Sequence, residues 1–155
     1  MSMSNSKVAQ RFADGKIKGK GRNMFVREDI VYSYGTHYPI CRRYFKDGVD
    51  YLFNMPYGSS STASHCSHVR SAISGSSVLV VENCDIDNAG CQIRTNEREI
   101  AGAEIKKEKA RKESMIEYWQ DRIAELEAQN EILSFIAAKR RLLEAAENEK
   151  RQGQR

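Results

Sequence analysis

Apolar positions change their spacing late in this chain, and the change separates two kinds of structure. Up to about residue 81 the apolar runs are short and are punctuated by Gly, Pro and an Asp-Gly pair. From Ala103 to Gln152 there is neither glycine nor proline, and apolar residues recur at helical intervals. The pattern predicts a small α+β head over residues 1–96 and a long amphipathic, coiled-coil-like helix over 97–155.

In the head, Asn5 or Ser6 is placed to cap a short helix through Ala13. That helix would turn Val8, Ala9 and Phe12 inward and stop at Asp14-Gly15. Met24-Phe25-Val26 and Ile30–Tyr34 flank Arg27-Glu28-Asp29 as a hairpin. Pro39–Tyr44 and Tyr51–Phe53 form a second hairpin around Lys46-Asp47-Gly48. A helix is expected after Ser59–Thr62, ending near Ser74-Gly75, with Cys66, Val69, Ala72 and Ile73 inward and His65, His68 and Arg70 nearer the rim. Val78–Val81 is the clearest apolar strand. Together these give an antiparallel sheet of about five strands covered by one or two helices.

A helix of roughly 75 Å cannot bury its apolar stripe on so small a head, so it calls for a partner. Ile116, Ile123 and Asn130 fall at a positions of a heptad frame, and Trp119, Leu126 and Leu133 at d positions. Isoleucine at a with leucine at d favours a parallel pair of helices, in which Asn130 could meet its symmetry mate and fix register. Upstream the frame reaches Lys109 and Lys112; downstream it meets Ala137 and Arg140. The stripe instead steps from Leu133 to Ile136, a three-residue stammer. The frame predicts self-association through Ile116, Trp119, Ile123, Leu126, Asn130, Leu133 and Ile136. The alternative is a bent helix folded back onto its own head. Ile132, Phe135, Leu142 and Leu143 broaden the apolar surface beside Lys139-Arg140-Arg141, as a docking helix would.

Charge sharpens the division. The net charge is +4; residues 1–96 carry 12 basic and 8 acidic side chains, while residues 97–155 carry 13 of each. Much of the excess lies early, in Lys7, Arg11, Lys16, Lys18, Lys20 and Arg22, and Gly19 and Gly21 space the last of these. We expect a flexible basic loop whose backbone N–H groups and lysines contact a phosphate, or else an ordinary mobile surface loop. It lacks Walker A spacing, which removes support for nucleotide hydrolysis. Four cysteines without a dense disulfide pattern read as reduced. His65, Cys66, His68, Cys84 and Cys91 do not have zinc-knuckle spacing, so no metal or other cofactor is expected. The chain has no apolar run of membrane-spanning length and no apolar leader, so a soluble intracellular protein with no membrane partner is expected.

The blocks Val8–Gly15, Asn23-Met24-Phe25 and Ile30–Ile40 resemble a small domain recurrent in bacteriophage genomes. The likeness continues in Ser61-Thr62, His65, Ser67, Val69-Arg70 and Ala72 and covers roughly residues 5–80. It implies a viral or mobile-element origin, hence the cytoplasm of an infected bacterial host, and no particular reaction. The leading expectation is a noncatalytic dimeric accessory protein. It would bind DNA, RNA or a host nucleoprotein or defence complex, with Lys16, Lys18, Lys20, Arg22 and Arg70 on the anion. The alternatives are a small nuclease or hydrolase using His37, His65 and Arg70 in acid–base chemistry, and a virion structural or scaffold protein. Against both binding and catalysis stands simple packing of these rings against the sheet.

Overall fold

A computed structural model describes residues 3–34, 38–54 and 60–153. The chain divides into two compact units, Met1–Ile86 and Asp87–Arg155, so the boundary falls ten residues before the expected one at 96/97. The α+β class and the long C-terminal helix are as expected from the sequence.

In the first unit, helix α1 (Asn5–Ala13) is capped by Ser4, not by Asn5 or Ser6. The Ser4 side chain accepts the Lys7 backbone N–H at 3.2 Å. Val8, Ala9 and Phe12 turn inward as expected. Six strands follow in sheet order β1 to β6: β1 (Lys18–Lys20), β2 (Met24–Arg27), β3 (Ile30–Ser33), β4 (Tyr38–Lys46), β5 (Val49–Phe53) and β6 (Val78–Val80). Both expected hairpins form. The β4–β5 turn puts Asp47 and Gly48 at φ 55° and 77°, the left-handed pair that a tight hairpin requires.

Two features of the sheet depart from expectation. The basic stretch is not a free loop, because its centre is β1, paired antiparallel with β2. The last strand pairs parallel with β5. Helix α2 (Ser60–Ala72) supplies the crossover that a parallel connection needs. Helices α1 and α2 enclose one sheet face. Val8, Phe12, Val26, Val31, Cys41, Phe53, Cys66 and Val69 form a continuous core there.

The second unit is a helical hairpin. The expected uninterrupted rod is two helices, α3 (Ala89–Lys109) and α4 (Glu113–Gly153), folded back at 110–112. The break falls where the heptad frame places Lys109 and Lys112 in the core. A helix continuing through that point would have aligned two lysines on its apolar seam. The seam expected to meet a second copy packs on α3 instead: Leu126, Leu133 and Ile136 are buried, and Ile116, Trp119, Ile123 and Asn130 are half-buried. Ala103, a small buried residue of α3, lies beside Trp119 and Leu126 of α4. Asn130, expected to meet a symmetry mate, has a partner within the chain: its Oδ1 accepts the Asn96 side-chain N–H at 2.9 Å. Asn96 Oδ1 in turn accepts from Gln92 at 3.0 Å. Trp119 lies under Lys106, whose Nζ is 4.8 Å from the ring centroid. Arg122 pairs with Glu99 at 3.0 Å, and Arg140 with Asp87. Among the described residues no helix is long and apolar enough to cross a membrane.

Candidate nucleic-acid interface

The cationic residues singled out by the sequence gain a defined geometry from β1. Register pairs Lys18 with Arg27 and Lys20 with Phe25 across β1–β2, and Phe25 with Tyr32 across β2–β3. Residues directly opposite in an antiparallel ladder project to the same face. Two rows therefore cross the sheet on the side away from α1. One runs Lys20–Phe25–Tyr32, the other Lys18–Arg27–Ile30. The Phe25 and Tyr32 rings stack, with centroids 5.1 Å apart and planes 18° from parallel. Lys18 opposite Arg27 is a like-charge pair, unfavourable unless an anion lies between them. Among the described residues no ion pair engages Lys18, Lys20, Arg22 or Arg27.

The turn between β1 and β2 opens into a groove of about 430 Å³, lined by Lys20, Gly21, Arg22, Asn23, Met24, Phe25 and Tyr34. Tyr34 sits on its rim, 48 % exposed, in the left-handed conformation at φ 53°. Its backbone N–H donates to the Asn23 carbonyl at 2.9 Å, and its ring lies 5.2 Å from the His65 ring.

The surrounding chain holds this edge in place. Arg11 Nε donates to the Lys18 carbonyl at 3.0 Å. Arg43 donates to the Phe12 carbonyl through Nε at 3.1 Å and Nη2 at 2.8 Å, to the Glu28 carbonyl at 2.7 Å, and to the Lys16 carbonyl. Its guanidinium also covers the Phe12 ring at 4.6 Å. Met3 N–H donates to the Lys20 carbonyl at 3.1 Å, and Gly21 N–H to the Met24 carbonyl at 2.7 Å. The Gly21 N–H is thus not offered to a phosphate, contrary to the role expected of this glycine. Gly21 is needed for close approach: a Cβ there would meet Val8 Cγ2 at 2.9 Å and the Met3 carbonyl oxygen at 3.0 Å.

The remaining expected site residues do not join this cluster. Lys16 is exposed at the turn before β1, its carbonyl taken by Arg43. Arg70 stacks its guanidinium 4.7 Å above Phe53 and lines a different, smaller groove with Ile73, Ser74, Gly75, Ser76 and Val78. His65, expected near the rim, is 3 % exposed, and its Nδ1 shares a 2.6 Å hydrogen bond with the buried Ser33 hydroxyl. Burial, and then the charge of His68, pull its pKa below the ordinary value. An imidazole so enclosed offers no open face to a substrate. His37, its expected partner in acid–base chemistry, lies outside the described residues. Cys41, Cys66 and Cys84 are buried thiols, and burial pushes Cys84 up to about 12. Among the described residues no three His, Cys, Asp or Glu side chains are grouped to hold a metal ion.

Sequence reasoning found the cations but not the outward Phe25 ring stacked on Tyr32 beside them, nor Arg43 as the support of this edge. The alternation Phe25-Val26 and Val31-Tyr32 would have placed both rings outward had β1 been recognised as the strand that fixes the face. No protein-family model, curated protein or solved structure matches the chain.

Proposed function

We propose that the first unit is a nucleic-acid-binding module of a noncatalytic accessory protein, acting through the cationic edge of its sheet. The observation carrying this reading is the set of four cations, Lys18, Lys20, Arg22 and Arg27, gathered on one edge with no ion-pair partner among the described residues and with aromatic rings beside them. Cations gathered without ion-pair partners favour a polyanion, and binding to one releases condensed counterions. The bacteriophage-like sequence blocks fit an accessory protein in an infected bacterial cytoplasm. There the same surface would engage free nucleic acid or the exposed strands of a host nucleoprotein.

The test is a titration of a fluorescent oligonucleotide with the full chain at increasing salt. Four phosphate contacts to a single strand predict a log–log slope of about −3, hence about fiftyfold weaker binding after a fourfold rise in salt. Joint replacement of Lys18, Lys20 and Arg22 by Gln is expected to remove most of that dependence. Binding with an unchanged slope in this variant would place the interface elsewhere. No binding by the unaltered chain would leave the lysines as guards of an exposed strand edge.

A further inference from the structure

We infer that the β1–β3 face takes single-stranded nucleic acid by stacking its bases on Phe25 and Tyr32, with Lys20 and Arg22 holding the adjoining phosphates. The inference rests on the nucleic-acid reading above and specifies the form of the ligand. The row Lys20–Phe25–Tyr32 crosses three strands, each about 4.8 Å from the next, so cation and rings lie side by side on one shallow surface. The rings are half-buried and stacked on each other. A base can add to that stack through its face. In a duplex those faces are already covered by neighbouring bases, and only edges and phosphates are presented. A single strand leaves them free, and stacking is tolerant of base identity.

Tyr34 supplies an independent observation. A bulky residue at φ 53° is uncommon and persists only where its surroundings hold it. Here the Asn23 carbonyl and the His65 ring hold it, and the outcome is a half-exposed ring on the groove that also contains Lys20, Arg22 and Phe25. A strand whose bases lie on Phe25 and Tyr32 would pass Tyr34 at the groove rim.

Three DNA probes of equal length decide the matter with the full chain: a single strand, the same strand with abasic sites through its centre, and a duplex. The single strand is expected to bind more tightly than either of the others by about tenfold or more, since two stacked bases at about 1 kcal/mol or more each exceed the ~1.4 kcal/mol of a tenfold change. Phe25→Leu should lose that preference while retaining duplex binding. Phe25→Trp, which keeps a stacking ring, should restore it. Tyr34→Ala, at an exposed position, should lower single-strand affinity without loss of the native circular dichroism spectrum. Equal affinity for all three probes with a steep salt slope would overturn base stacking while leaving the nucleic-acid reading intact. No affinity for any probe would remove both. An undiminished preference for the single strand in Phe25→Leu would also overturn the assignment.

Discussion

Gly21 sits where two requirements meet: the β1–β2 turn must present Lys20 and Arg22, and the same backbone must lie against α1. A methyl group at this position would enter the space of Val8, a fully buried residue. Gly21→Ala is therefore expected to lower stability by about 1–3 kcal/mol, the usual range for overpacking, measured as a shift in urea midpoint at unchanged slope. An unaltered midpoint would mean the edge is not clamped as described. His65 carries a second consequence at this scale. Its folded pKa is depressed by burial, while the unfolded chain titrates near the ordinary value of about 6.5. The unfolded state therefore takes up a proton on acidification before the folded state does. The contribution to stability is full above about pH 6.5 and is lost as pH falls toward the folded pKa. His65→Gln keeps a polar partner for Ser33 and removes the titration, so its stability should decline less between about pH 7 and 5. Equal declines would exclude His65 as the source.

The hairpin α3–α4 converts a heptad seam into an internal core, and its polar step is the ladder Gln92–Asn96–Asn130. Asn96 is 2 % exposed, so removing Asn130 leaves its side-chain amide buried without that acceptor. Asn130→Ala is expected to destabilise by about 1–3 kcal/mol. In a double-mutant cycle with Asn96→Ala, the two losses should fall short of additivity by about 1 kcal/mol. Strict additivity in urea denaturation would separate the two residues. The seam itself was legible in the sequence, because the 3.5-residue spacing from Ile116 to Leu133 depends only on local order. Its partner was not, because a second copy and a second helix of the same chain satisfy the same stripe. The lysines at 109 and 112 were the available sign of a fold-back. In the sheet, hairpins with adjacent strands were readable from turn residues. The strand Lys18–Lys20 was not, since three residues with a central glycine carry no alternation and become a strand only by pairing with β2. The candidate site divides in the same way: its cations are a local property, whereas the facing of Phe25 and Tyr32 depends on register.

At the scale of the whole molecule, the filled seam changes what self-association would require. Helix α3 has 21 residues and α4 has 41, about 31 and 61 Å, so α4 outruns its partner beyond the Asp87–Arg140 pair. Every described side chain from Arg141 onward is exposed, Leu142 at 73 %, and Phe135 is 60 % exposed on the outward side. A dimer built on this helix would depend on Ile132, Phe135, Leu142 and Leu143, while Leu126 and Leu133 would serve the hairpin alone. Sedimentation separates the two roles. Phe135→Ser with Leu142→Ser should lower the mass of any oligomer toward the single-chain 17.7 kDa at nearly unchanged melting temperature. Leu126→Ala should lower the melting temperature, by about 2–5 kcal/mol of stability, without lowering the mass. Assembly also has a signature in binding. The hairpin region is charge-balanced, so one copy contributes the four edge cations and a slope of about −3. Two linked heads on one strand would steepen that slope and raise affinity on longer oligonucleotides through effective concentration. The outward-face double variant should then return the slope to the single-head value while each head still binds. A single-chain mass for the unaltered protein, with a slope of about −3 on short and long strands alike, would leave the edge acting alone and the outward row of α4 without a role in assembly.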